Sequence, residues 1–114
     1  MKIISENEFE NEIKSGVTLV DFFATWCMPC RMMGQILEEV AEDEKNVNFV
    51  KVDVDENPNL ARSFGVMSIP TLIIFKDGQQ QDKHIGVWQA EDLKSALKKL
   101  SLIHISEPTR PEPI

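Results

Sequence analysis

The stretch VTLVDFFA at residues 17–24 constrains the chain most, because it is an almost unbroken apolar, β-branched and aromatic run. Such a run without alternation reads as a strand buried on both faces of a sheet, which requires helices above and below it. Two residues further on comes WCMPC, with both cysteines of the chain, Cys27 and Cys30. Beyond them Met33, Ile36, Leu37, Val40 and Ala41 recur at three- and four-residue spacings, an amphipathic helix to about Asp43. The cysteine pair therefore stands where a buried strand turns into a helix.

The remaining elements fall around this junction. Ser5 followed by Glu8 is a capping-box pattern, and Phe9 and Ile13 share a helical face before Gly16 ends the run, which predicts a helix over about 6–15. VNFVKVDV (47–54) is a second central strand, and ENPNLARSFG (56–65) holds a short helix opened near Asn57 and Pro58 and closed by Gly65. TLIIF (71–75) and QQDKHIGV (80–87) flank Asp77-Gly78, a tight hairpin turn. Leu93, Ala96, Leu97 and Leu100 trace one face of a closing helix from about Ala90 to Leu100. Alternating strands and helices imply parallel pairing through right-handed crossovers, and the hairpin adds an antiparallel arm. The expected class is α/β: a central mixed sheet flanked by about four helices, five-stranded with Ile3-Ile4 as a leading strand and four-stranded without it.

At 114 residues the chain has room for one domain, and 42% hydrophobic with 27% charged residues is ordinary for a globular protein. The expected domain is 1–100. SLIHISEPTRPEPI (101–114) has three prolines in its last seven positions and no continuing periodicity, and reads as a non-native or linker-like tail. A formal charge of −7 without clustered Lys or Arg argues against nucleic-acid binding. The opening MKIISENEFE lacks the basic-then-apolar order of a secretory signal, and no apolar run is as long as a membrane span. The expectation is a cytoplasmic protein that does not engage membranes, and a monomer, since composition carries no oligomeric signal.

In a reducing compartment, two cysteines three apart are catalytic or metal-binding sooner than a permanent cross-link. A zinc site needs about four ligands, and beyond the cysteines only His84, in a predicted strand, and His104, in the tail, are on offer. A purely structural disulfide here would close a very small loop and constrain little of the unfolded chain. Dithiol redox chemistry remains. At a helix N-terminus, free backbone NH groups and the positive dipole end stabilise a thiolate, so Cys27 is expected to be the exposed nucleophile. Cys30, one turn later and deeper, is placed to resolve a mixed disulfide. Pro29 stiffens the first turn without losing a needed NH.

Taken with VDFFATWCMPC, the segments KVDVDENP, FGVMSIPTLIIFKDG and the Ile85-Gly86 pair give the chain, over residues 1–100, an order and spacing that resembles the thioredoxin family. The resemblance implies the thioredoxin fold and a protein-disulfide reductase acting in electron transport and cell redox homeostasis. It further implies no bound cofactor beyond the Cys27–Cys30 disulfide/dithiol, disulfide-containing protein substrates, and regeneration by a thioredoxin reductase. Asp21, an acid inside an apolar strand where burial should raise its pKa, takes by resemblance the role of assisting deprotonation of Cys30; otherwise it is a capped structural group. Lys51, also internal to a strand, is its natural counter-charge. Ile69-Pro70 resembles the family's cis-proline loop, although sequence alone says only that an X-Pro bond can be cis. There the backbone of Ile69 would pair with an extended substrate, with Gly86 leaving room on the rim and Trp26, Val66 and Met67 as apolar walls.

The chain departs from the family at three places. Met28 stands where glycine is usual, Phe23 where tryptophan is commoner, and Gln35 where the helix after the dithiol carries proline. Met28 either tunes substrate fit or potential beside the attacking sulfur, or is tolerated on an exposed turn. Without proline at Gln35 that helix need not kink, although Gly34 permits a bend. Two alternatives stay open: a more oxidising oxidase or isomerase on the same fold, against which Pro29 and Ile69 speak, and a non-catalytic binding module.

Overall fold

A computed structural model describes the backbone of residues 1–106 and side chains through Leu100. In chain order the elements are β1 (Lys2–Ile3), α1 (Glu6–Ile13), β2 (Val17–Phe23), α2 (Met28–Asp43), β3 (Val47–Asp53), α3 (Pro58–Ser63), β4 (Thr71–Lys76), β5 (Gln79–Ile85) and α4 (Ala90–Ser106). The leading strand forms, and the sheet has five strands in the order β1-β3-β2-β4-β5. β1 and β2 both run parallel to β3, while β2–β4 and β4–β5 are antiparallel. This is the mixed α/β architecture that the sequence predicts.

Local chemistry accounts for most boundaries. The Ser5 NH donates to Glu8 Oε1 at 2.8 Å, fixing the start of α1. Asp77 and Gly78 both have positive φ, 51° and 84°, as a tight hairpin turn demands, and Asp77 Oδ1 also accepts from the Gly16 NH at 2.8 Å. One boundary differs from expectation: α4 continues past Leu100 to Ser106. Residues 101–106 contain neither Gly nor Pro, so no residue among them breaks a helix. The expected end lay where apolar periodicity stops, but propensity alone carries the backbone further.

Alternation along the strands builds a core on each face of the sheet. Val20, Phe22, Val50, Val52, Ile73 and Phe75 pack with Phe9 and Ile13 of α1 and Leu60 and Ala61 of α3. On the opposite face Leu19, Phe49, Leu72 and Ile74 pack with Met33, Leu37 and Val40 of α2 and with Leu93 and Leu97 of α4. β2 lies at the centre, fully buried from Thr18 to Phe23, and its C-terminal end delivers the chain to the cysteines.

Candidate functional site

α2 starts immediately after the first cysteine. Cys27 is its N-cap, in extended geometry (φ −94°, ψ 113°), and Cys27 Sγ accepts the NH of Cys30 at 3.2 Å. Sulfur thus occupies the place of the oxygen in an ordinary cap, where a negative charge would be favoured by the same NH and by the helix dipole. Pro29 sits in the first turn, where no NH is missed. Cys27 and Cys30 are joined as a disulfide with Cα atoms 5.2 Å apart.

The expectation of an exposed Cys27 is corrected: it is 5% exposed, against 3% for Cys30. Both sulfurs belong to a small cluster with Phe23 and Ala24, against which Val54 and Ile69 pack. The Ile69 carbonyl oxygen stands 4.0 Å from Cys27 Sγ, so the loop opposite packs against that sulfur. Sequence spacing could not reveal this, because the contacting residue lies forty-two positions away.

The Ile69–Pro70 peptide is cis, and the Pro70 carbonyl accepts from the Gly86 NH at 2.8 Å, which ties the loop to the end of β5. Gly86 adopts φ 94°, and a Cβ built there would meet no atom within 4 Å. Its backbone angle, and not crowding, therefore accounts for glycine. Beside the disulfide, Trp26, Val66, Met67 and Ile69 line a groove of about 200 Å³ together with Val54. Met28 and Pro29 are exposed and lie outside this lining, Met28 at 66% exposure.

Two groove features were missed by sequence reasoning. Val54 is one; Asp55 is the other, whose Oδ2 accepts from Trp26 Nε1 at 2.8 Å and so holds the exposed indole. The DVDENP segment supplied an acid, but its partner is 29 residues away and nothing local announces it.

Asp21 of β2 is fully buried and neither carboxylate oxygen has a hydrogen-bond partner. Burial pushes its pKa up to about 7, opposed by the positive charge of Lys51. Asp21 and Lys51 are register partners across β2 and β3. The predicted counter-charge is therefore adjacent, but the Lys51 ammonium sits over the Phe23 ring, 4.2 Å from its centroid. A Cβ at Gly34 of α2 would approach Lys51 Nζ to 3.9 Å. α2 runs uninterrupted through Gly34 and Gln35. A cavity of about 220 Å³, lined by Cys30, Lys51, Phe23, Ala24, Thr25 and Arg31, joins the second cysteine to this ammonium.

Among the described residues no group of three or more His, Cys, Asp or Glu side chains could hold a metal ion. His84 stacks on Trp88 with ring centroids 4.6 Å apart, far from a ligand role, and the side chain of His104 lies outside the described residues. No described helix is long and apolar enough to cross a membrane.

Comparison with known proteins agrees with this geometry. A Thioredoxin family model matches residues 1–99. Thioredoxins of Staphylococcus saprophyticus and Staphylococcus aureus are each 50% identical over 97 residues, covering 84% of this chain and 93% of theirs. Among solved structures, a mutant thioredoxin from Halobacterium salinarum superposes with a TM-score of 0.81 at 34% identity, covering 86% of this chain and 88% of that one. Oxidized mitochondrial thioredoxin 3 of Saccharomyces cerevisiae gives 0.79 at 38% identity, with coverage of 87% and 94%.

Proposed function

Because the chain belongs to the thioredoxin family, whose members are protein-disulfide oxidoreductases working through a redox-active cysteine pair, we propose that it acts as a reductant of disulfides in other proteins. The Cys27 thiolate attacks one sulfur of a substrate disulfide, forming a mixed disulfide and expelling the other substrate sulfur as a thiolate. Cys30 gives its proton toward Asp21 and attacks Cys27 Sγ. The Cys27–Cys30 disulfide forms, the second substrate thiolate leaves, and two electrons have passed to the substrate. The oxidised pair is then reduced by a thioredoxin reductase.

The observation that carries this reading is the Cys27 sulfur serving as the cap of α2, and the full burial of the acid Asp21 supports it. Asp21 is the base, through water, for Cys30, and Lys51 its counter-charge. Trp26, Val66, Met67 and Ile69 form the substrate groove, with Met28, Pro29, Pro70 and Gly86 on its rim. An extended substrate segment pairs with the Ile69 backbone there. The protein works as a cytoplasmic monomer in electron transport, and 101–114 is a non-native or linker-like tail on a 1–100 domain.

Insulin reduction tests the chemistry. Cys27→Ser should abolish it, and Cys30→Ser should trap covalent substrate complexes; parent-rate reduction by Cys27→Ser would refute the assignment. A dithiol potential near −270 mV, roughly that of a reductant, is expected, and one near about −180 mV would point to an isomerase. Partner docking that survives Cys27→Ser with Cys30→Ser, without turnover by the parent protein, would identify a binding module.

A further inference from the structure

The side chain that sets the behaviour of the buried acid need not touch it. On one face of the sheet, β2 presents Asp21 and Phe23, and β3 presents Lys51 in register with Asp21. In a parallel pair at that register a lysine has ample length to bend to the carboxylate. Yet no ion pair joins them, both Asp21 oxygens lack hydrogen-bond partners, and the ammonium lies over the Phe23 ring at 4.2 Å. α2 closes the arrangement from above, with Gly34 against Lys51 Nζ.

We propose that Phe23 is a positioning residue for the disulfide-exchange reaction: its ring holds the Lys51 ammonium away from Asp21, so the acid keeps its affinity for the proton of Cys30. The inference rests on the role given to Asp21 above. Its physical basis is a competition for one cation. The ring face attracts the ammonium through its quadrupole, most strongly where water is scarce. The carboxylate attracts it through full charge, but only by being ionised in a buried site, which is costly. With the ring present, Lys51 acts on Asp21 at a distance, and its effect is outweighed by burial. Without the ring, the same lysine can reach the acid and hold it ionised.

The charged groups around this competition are few. From β2 comes Asp21, from β3 Lys51, and from α2 the sulfur of Cys30, which carries a titratable proton only once the disulfide is open, with Arg31 lining the same cavity and reaching the Thr25 carbonyl at 3.5 Å. β4 faces Asp21 with Leu72, which carries no charge.

The test is a double-mutant cycle read by carboxyl-carbon NMR titration of Asp21 in the full chain. Phe23→Met keeps an apolar side chain but removes the ring face, and the Asp21 midpoint should fall by about half a pH unit or more. Phe23→Trp, with a stronger ring face, should leave the midpoint unchanged or higher. Lys51→Met should raise it, and adding Phe23→Met to Lys51→Met should then produce no fall. A fall of equal size in the Lys51→Met background would mean that Phe23 acts by excluding water, which overturns the proposal; so would an unmoved midpoint in Phe23→Met alone. If Phe23→Met does not fold, a pentafluorinated phenylalanine at 23 preserves the shape while reversing the quadrupole, and should give the same fall. The pH profile of mixed-disulfide resolution by Cys30 should move in parallel with the midpoint. Should Asp21→Asn leave that profile intact, the role of the acid fails, while the NMR cycle still decides whether Phe23 holds Lys51.

Discussion

The two faces of β2 make opposite use of the same strand. Val20 and Phe22 enter a core where Phe9, Phe64 and Phe75 meet ring to ring at centroid distances of 5.2 to 5.5 Å. One residue away, on the face that α2 covers, Asp21 has both oxygens unsatisfied, in register with a lysine whose ammonium lies over an aromatic ring. Period-two alternation lets one segment carry packing on one side and a destabilising acid on the other. Both faces carry a core, and the buried acid stands on only one of them.

The sharpest way to break this contrast is at the chemical face, where Cys27→Ser should reduce insulin reduction to background while leaving the fold intact. Next, on the packing face, Phe75→Ala should lower unfolding free energy by about 3–5 kcal/mol in urea melts. Its Asp21 titration should not move; if it moved as far as in Lys51→Met, the faces would not be independent. Of similar or smaller size is the effect of the acid itself. Native Asp21 retains its proton to about pH 7, whereas the unfolded chain releases it from about pH 3.8 upward. In that window the unfolded state binds fewer protons, so stability is lost as pH rises and levels off above pH 7. Relative to the parent, Asp21→Asn should therefore gain up to about 4 kcal/mol between pH 4 and pH 8. An Asn difference that did not vary with pH would dismiss the buried acid as a stability term. Smallest of all, Met28→Gly removes an exposed side chain outside the groove lining and should alter potential and substrate rates less than about twofold, since surface substitutions away from specific contacts have small effects.

Most of the fold was legible because its signals are local. The apolar run over 17–24, the Ser5–Glu8 pattern and Asp77-Gly78 each specify their own element within a few residues. The candidate site was legible in part. Cys27, Pro29 and Cys30 could be placed by their relation to a helix start, and Asp21 by being an acid in an apolar strand. The burial of Cys27, the Asp55 clasp on Trp26 and the seat of Lys51 on Phe23 could not, because each depends on how distant segments meet. The extension of α4 was missed for the opposite reason: helical backbone persisted where the apolar face that had marked it stopped.

The strand order has a consequence for how another polypeptide can attach. At one edge of the sheet β1 pairs over only two residues, too short to template a further strand. At the other, β5 presents Gln79 to His84 with Asp82 and Lys83 among them, and its register with β4 is interrupted near Ile74 and Phe75. Polar, charged and irregular edges resist edge-to-edge pairing. An incoming extended segment thus finds the borders of the sheet guarded, which leaves the short loop at Ile69, 4.0 Å from the sulfur, as the backbone that the proposed function assigns to it.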